Sequence, residues 1–88
     1  MKKYFEDYLI SKGYKQTTPS GHPSTVYDYV KRIHKICEWE NMTWGQLADN
    51  IQDVLSQYNM GGLKEELGNK SHKAVINALK RFSEFVNK

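Results

Sequence analysis

The chain has 88 residues, of which 39% are apolar and 12% aromatic. This composition predicts one folded domain over residues 1–88 with a small core, and it excludes a disordered tail. No apolar run approaches the roughly 18 residues of a membrane span. The net charge of +3 is too small to identify a partner by itself, so the positions of the charges carry the information.

The N-terminal segment and the cysteine content indicate the compartment. Acidic Glu6 and Asp7 follow the first lysines closely, which is a poor pattern for a signal peptide. Cys37 is the only cysteine, so no internal disulfide can form, and this fits a reducing environment. We therefore expect a cytoplasmic protein.

Apolar positions recur at helical spacing and do not alternate with a period of two, so we predict an all-α chain without strands. The first helix is predicted over residues 3–12. Its buried face is expected to comprise Phe5, Tyr8 and Leu9. Gly13 is expected to end this helix in a left-handed conformation, with Tyr14 folding back on Leu9 as in a Schellman motif.

Residues 15–24 are predicted to form a loop, because they include two prolines and a glycine. Ser24 is the expected N-cap of a second helix over residues 25–41. The apolar stripe of this helix comprises Val26, Tyr29, Val30, Ile33, Ile36, Cys37 and Trp39.

A capping box predicts the start of the third helix, since Thr43 is followed three residues later by Gln46. One continuous helix is then expected to bury its apolar positions, Leu47, Ile51, Val54, Leu55 and Tyr58. It should end before residue 59, where a glycine-rich segment begins.

Three glycines interrupt residues 59–70, and Leu63 and Leu67 are expected to form a short turn there that docks on the core. A fourth helix is predicted to start near residues 69–71. Its apolar stripe comprises Ala74, Val75, Ala78, Leu79, Phe82, Phe85 and Val86.

The predicted helices differ in where their charges lie. The third carries Asp49 and Asp53 and no base, which argues against a helix-turn-helix reader, because these carboxylates would face DNA phosphates. The second carries its bases in the middle, and they are Lys31, Arg32 and Lys35. The fourth, with its lead-in, carries bases before its first acid, Glu84, and they are Lys70, Lys73, Lys80 and Arg81.

One face of the fourth helix has a composition typical of nucleic-acid contacts. Lys73, Asn77 and Lys80 stand four and three residues apart and are expected to share this face. Lysines neutralise phosphates, and an asparagine hydrogen-bonds an adenine edge. The same spacing also fits an ordinary solvated helix face, so charge alone leaves both interpretations open.

Two groups of residues are considered as a metal site and as a nucleophile. His34 and Cys37 are close enough in sequence to reach one metal, but a structural zinc site needs four such ligands, so we predict a surface histidine and a core cysteine. No cluster of bases surrounds a tyrosine to activate it as a nucleophile, so Tyr8, Tyr29 and Tyr58 are predicted to be core or rim aromatics. We predict no catalysis, metal or cofactor.

In its order and spacing, this pattern resembles the core-binding domain, also called the SAM-like N-terminal domain, of phage integrases and other tyrosine recombinases. The first helix is similar to the family's F-x-x-Y-L opening through Phe5, Tyr8, Leu9 and Gly13. The second is similar through Thr25, Tyr29, Ile33, Ile36 and Trp39. The later helices are similar through Thr43, Leu47, Ile51, Leu55, Leu79, Phe82 and Phe85. The loop over residues 15–24 departs from the family, which usually has a shorter turn there.

The resemblance implies a compact four-helix orthogonal bundle whose second and fourth helices face the major groove and backbone of double-stranded DNA. The family closes a C-shaped clamp with a C-terminal catalytic domain, whose tyrosine and arginines have no counterpart in residues 1–88. We therefore expect a non-catalytic, monomeric domain that serves DNA integration and recombination, of bacterial or phage origin. The expected DNA contacts are Thr25, Lys31, Arg32, Lys35, Lys70, Lys73, Asn77, Lys80 and Arg81, with Asn77 at a base edge.

The alternative is a helical protein–protein interaction or dimerisation module that binds no nucleic acid. It would use Tyr27, Trp44 or Tyr58 as exposed aromatics, and it requires a contiguous apolar patch of roughly several hundred Å². The DNA hypothesis requires instead that the second and fourth helices share one basic concave face.

Overall fold

The computed structural model describes residues 1–14 and 25–87, without the side chains of residues 71 and 72. Over this part the chain forms helices and no strand, so the all-α prediction is confirmed. The helices are α1 (Lys2–Ser11), α2 (Thr25–Glu40), α3 (Trp44–Asp49), α4 (Ile51–Tyr58), α5 (Glu65–Gly68) and α6 (Lys70–Asn87). No helix in the described ranges is long and apolar enough to cross a membrane. The predicted loop over residues 15–24, with Ser24 as a cap, lies outside the described residues.

The end of α1 follows the prediction from sequence. Gly13 has a φ of +96°, a left-handed conformation that glycine adopts more readily than residues with a Cβ. Its N–H donates to the Ile10 carbonyl at 3.0 Å, and the Tyr14 N–H donates to the Leu9 carbonyl at 3.1 Å. These are the two hydrogen bonds of a Schellman motif, and they return the chain to the core, where Tyr14 packs.

The core lies between α2 and α6, with the other helices packed around this pair. The two helices run antiparallel, because Trp39 near the end of α2 lies beside Lys70 at the start of α6, whereas Tyr29 near the start of α2 lies beside Arg81. Burying each large apolar side chain stabilises the fold by about 1.5–3 kcal/mol. The largest fully buried side chains are Tyr58, Phe5, Phe82, Leu9, Ile33, Ile36, Leu47, Leu79, Val54 and Val75.

The predicted third helix is divided into α3 and α4, while its capping box is confirmed. The Thr43 hydroxyl accepts from the Gln46 N–H at 3.1 Å, and the Gln46 side-chain oxygen accepts from the Thr43 N–H at 2.9 Å. The break falls at Asn50, whose φ of −114° and ψ of 19° leave the helical region. The side-chain amide of Asn50 donates to the Gln46 backbone carbonyl at 2.9 Å. Local side-chain bonds of this kind compete with the backbone hydrogen bonds of a regular helix.

The glycine-rich segment after α4 folds back against the end of that helix. Leu67 packs against the core as predicted, but Leu63 is 96% exposed, so its predicted docking is wrong. Gly68 is buried against the Tyr58 carbonyl, and a Cβ on Gly68 would overlap that oxygen. Only glycine therefore allows α5 to approach α4 this closely, and this approach sets the position from which α6 starts.

Candidate nucleic-acid interface

A groove of about 470 Å³ lies between α2 and α6. Its cationic lining comes from both helices, and it consists of Lys31, Arg32, Lys35 and Lys70. The remaining lining residues are His34, Glu38, Trp39 and Val75. The fold therefore brings four of the predicted DNA contacts into one concavity. A cleft lined mainly by one sign of charge concentrates counter-ions of the opposite sign.

One wall of this groove is aromatic. The Trp39 ring is half-buried and lies parallel to the Tyr58 ring, with their centres 6.4 Å apart and their planes at 10°. The Lys70 ammonium lies 5.7 Å from the centre of the Trp39 ring, within the range of a cation–π interaction. The indole thus gives a flat apolar surface among the cations.

Ion pairs within α2 occupy some of its cations. Arg32 lies 3.5 Å from the Asp28 carboxylate, and Lys35 lies 4.0 Å from Glu38. Lys31 has no acidic partner within residues 1–14 and 25–87. The Arg32 Nε is buried and has no acceptor, and 3.5 Å is long for a charge-assisted hydrogen bond. Arg32 is therefore only loosely paired with Asp28.

The second group of predicted contacts lies on the exposed side of α6. Lys73, Asn77 and Lys80 are exposed, and neither lysine pairs with an acid of the described part of the chain. Lys73 has a φ of +69°, so regular helical spacing applies only after it. Asn77 and Lys80 therefore share a face as predicted, while the backbone at Lys73 departs from the predicted helix.

Arg81 is engaged within the protein, at the other end of the α2–α6 pair. Its guanidinium lies 3.1 Å from the Glu84 carboxylate and donates to the Tyr14 hydroxyl at 3.5 Å. Burial alone would lower the pKa of Arg81, but Tyr14 and Glu84 outweigh burial and raise the pKa. Thr25 is the first residue of α2 and is exposed at the same end. The groove near Lys70 therefore contains neither Arg81 nor Thr25.

A partly buried network supports the Tyr58 ring on which Trp39 packs. The Tyr58 hydroxyl donates to Glu40 Oε2 at 2.8 Å, and the Lys64 ammonium donates to the same oxygen at 2.5 Å. Burial alone would raise the pKa of Glu40, but these two hydrogen bonds outweigh burial and lower the pKa. Burial, together with the Glu40 carboxylate, raises the pKa of Tyr58. At neutral pH the network therefore joins an ionised carboxylate to a neutral phenol.

The roles of Trp39 and of the Glu40–Lys64 pair were not predicted from the sequence. Trp39 was assigned to the apolar stripe of its helix, although its position four residues after Lys35 places both on neighbouring parts of the surface. Glu40 and Lys64 are distant in sequence and lie in different elements. No local pattern indicates that pair, because it depends on how the segment after α4 folds back.

The histidine, the cysteine and the three tyrosines that were considered as reactive groups have the predicted exposure. His34 is exposed, with Nε2 3.1 Å from the Glu38 carboxylate, while Cys37 is buried, which raises the pKa of its thiol. Tyr8 and Tyr58 belong to the core and Tyr29 packs at its rim. Among the described residues, no three His, Cys, Asp or Glu side chains gather where they would hold a metal ion.

Comparison of the chain with protein-family models, with curated proteins and with solved structures found no match. The likeness to integrase core-binding domains therefore rests on the residue patterns of the sequence. The function is inferred from those patterns together with the groove between α2 and α6 and the charges around it.

Proposed function

We propose that this chain is the DNA-binding domain of an integrase-type tyrosine recombinase, a SAM-like helical bundle that grips one side of double-stranded DNA through α2 and α6. The observation that carries the proposal is the groove in which bases from both helices meet. By contrast, α3 and α4 expose Asp49 and Asp53 and carry no base. This asymmetry favours the approach of a polyanion to one side of the domain.

The unpaired lysines supply half of the expected phosphate contacts. Four of the predicted contacts have no acid partner among the described residues, and they are Lys31, Lys70, Lys73 and Lys80. Neutralising about four phosphates gives a salt slope near −3.6, because each contributes about 0.9. Raising the salt from about 50 to about 200 mM should then weaken binding roughly 150-fold. Arg32 and Arg81 contribute less, because each already pairs with a carboxylate of its own helix.

Asn77 is the residue assigned to recognise a DNA base. It is exposed between Lys73 and Lys80, and an asparagine amide recognises an adenine edge in the major groove. Thr25 assists by donating its hydroxyl to a phosphate. The domain performs no catalysis by itself. A C-terminal recombinase domain would close the clamp, so the isolated domain should bind DNA weakly and with little specificity.

The test is an amide-shift titration of the protein with a generic duplex at about 50 and about 200 mM salt, chosen from the expected slope. Shifts confined to α2 and α6, and lost at the higher salt, support the proposal. Absence of any shift at the lower salt and high DNA concentration would overturn it.

A matched pair of double variants controls for net charge. Lys31→Gln with Lys70→Gln removes two cations from the groove, whereas Lys3→Gln with Lys12→Gln removes two exposed cations from α1 and the residue after it. The first pair should reduce the salt slope by about 1.8 and the second should leave it nearly unchanged. Equal effects would mean that only net charge attracts the DNA.

The alternative, a protein–protein interaction or dimerisation module, is favoured by a different observation. A groove of about 620 Å³ opens beside α1, and its exposed apolar residues include Tyr4, 69% exposed, and Met1, 48% exposed. Of the aromatics expected to be exposed in this case, Tyr27 is exposed, whereas Trp44 packs against the core and Tyr58 is 1% exposed. The dimer hypothesis predicts self-association in sedimentation equilibrium that Tyr4→Glu abolishes.

A further inference from the structure

We propose that the groove between α2 and α6 takes one backbone segment of a nucleic acid, with a sugar against Trp39 and its flanking phosphates against the surrounding cations. This inference rests on the proposed DNA-binding function and names the part of the DNA that the groove holds. The backbone is the convex ridge of a duplex, so it fits a concavity. A volume of about 470 Å³ is within the usual range of ligand sites.

The lining matches the alternating chemistry of a sugar–phosphate chain. Trp39 gives the groove an apolar surface, and Lys31, Lys35 and Lys70 line the same groove. Paired bases in a duplex are stacked and cannot lay a face on the indole unless they leave the stack. A deoxyribose has no such restriction. The half-buried indole among cations is therefore explained by a sugar with an anion on either side.

Two of the cations in the groove have incomplete partners in the free protein. Lys70 lies over the indole and has no carboxylate partner within the described residues. Arg32 lies 3.5 Å from its Asp28 partner, which is long for a charge-assisted hydrogen bond. A phosphate gives both groups a charged acceptor, which is a stronger partner than a ring face or a distant carboxylate. On binding, Lys70 should therefore leave the indole and a sugar should take its place.

The two tryptophans of the chain make this step observable. Trp44 packs in the aromatic cluster with Phe5 and Phe82, so Trp44→Phe leaves Trp39 as the only indole and preserves an aromatic ring in that cluster. The variant is titrated with a labelled duplex at about 50 mM salt. Anisotropy of the label reports DNA binding, and emission from Trp39 reports occupation of the groove. The expected result is a saturable change in emission with the same midpoint as the anisotropy.

Two matched variants in the Trp44→Phe background separate the groove from the rest of the surface. Lys70→Gln and Lys80→Gln should each reduce the salt slope by about 0.9, since each removes one phosphate contact. At saturation with DNA, Lys70→Gln should reduce the emission change, because no ammonium leaves the indole on binding in that variant, and Lys80→Gln should retain the full change. Equal emission changes in the two variants would overturn the inference. Trp39→Phe, which leaves Trp44 as the reporter, should show no emission change.

The two readouts distinguish failure of the inference from failure of the proposed function. If anisotropy shows duplex binding while Trp39 emission stays constant, the groove does not hold the backbone, and the DNA-binding proposal stands. If no duplex binds, the proposed function fails, and the same titration is made with a single-stranded thymidine octamer. A saturable change in Trp39 emission with the octamer supports a groove for a polynucleotide backbone. Constant emission with the octamer would overturn the inference as well.

Discussion

Lys64 and Lys70 make the same ring contact in different surroundings. Each places its ammonium 5.7 Å from the centre of an aromatic ring, Tyr58 for Lys64 and Trp39 for Lys70, and these two rings are parallel neighbours. Lys64 also bonds the Glu40 carboxylate, whereas no described acid pairs with Lys70. The first lysine is satisfied within the fold, and the second is available to an external anion.

We therefore expect the carboxylate, rather than the aromatic ring, to decide the role of each lysine. A hydrogen bond to a charged group stabilises a fold by about 1.5–3 kcal/mol, while an exposed cation–π contact contributes only about 0.5–1 kcal/mol. Changes around Lys64 should therefore alter stability, and changes around Lys70 should alter binding.

Gly68→Ala should lower the free energy of unfolding by about 3 kcal/mol, because the added methyl would force α5 away from the Tyr58 carbonyl. Denaturant unfolding followed by circular dichroism measures the change. Gly45→Ala is the control, since Gly45 is exposed in α3 and its nearest heavy atom would be the Thr43 hydroxyl at 3.9 Å. A Gly68→Ala protein as stable as the control would contradict the close approach of α5 to α4.

Glu40→Ala should lower the free energy of unfolding by about 2 kcal/mol, because it leaves the Tyr58 hydroxyl buried without its acceptor. Glu38→Ala is the matched control on the same helix. The Glu38 side chain is 54% exposed, so its removal should change stability by less than about 0.5 kcal/mol. Chemical denaturation of both variants measures the difference. Similar losses would show that the Tyr58–Glu40 hydrogen bond stabilises the fold no more than an exposed ion pair does.

The network also predicts how stability depends on pH. The lowered pKa of Glu40 gives stability that is present above the unfolded value of about 4.3 and is lost as pH falls through the folded pKa. The raised pKa of Tyr58 gives stability that is present below about 10 and is lost as pH rises through the folded pKa. Unfolding measured below about pH 4.3 and above about pH 10 should show the two losses. Glu40→Ala should abolish the acidic loss and reduce the alkaline one, because burial alone still raises the pKa of Tyr58. An unchanged profile in the variant would assign the losses to other groups.

Local sequence predicted the features that depend on neighbouring residues. Gly13 ended α1 and Thr43 with Gln46 began α3, because caps use side chains and N–H groups within a few residues. The break at Asn50 was missed, since the apolar positions continue on the same face across it. The exposure of Leu63 was missed for the opposite reason, because its apolar character says nothing about the direction in which a glycine-rich segment turns.

The candidate site was predictable in composition but not in arrangement. The bases of α2 and α6 were identified from sequence, and the structure unites Lys70 with the α2 bases in one groove. The engagement of Arg32 was also visible in principle, because Asp28 precedes it by one helical turn. The ion pair of Lys64 with Glu40 depends on tertiary folding. Sequence spacing therefore could not show that Lys64 is paired with an acid and Lys70 is not.

Lys64→Gln should mainly affect stability, and Lys70→Gln should mainly affect DNA binding. Lys64→Gln should lower the free energy of unfolding by about 1 kcal/mol, a reduced figure because its side chain is 36% exposed, and should leave the salt slope of DNA binding unchanged. Lys70→Gln should change stability by less than about 0.5 kcal/mol and reduce the slope by about 0.9. Denaturation and anisotropy titrations measure both quantities in each variant. Equal stability losses would remove the distinction between the two lysines.

The smallest expected effect concerns Arg32, which is paired with a carboxylate less closely than Lys64 is. Asp28→Asn removes the acid that holds Arg32 at 3.5 Å, so the guanidinium becomes free to meet a phosphate in the groove. DNA affinity at low salt should rise about twofold, since an exposed pair of this kind contributes about 0.5 kcal/mol. Asp49→Asn makes the same change in net charge on α3, away from the groove, and should give a smaller rise. If both variants raise affinity equally, the gain comes from net charge, and Arg32 is not restrained by Asp28.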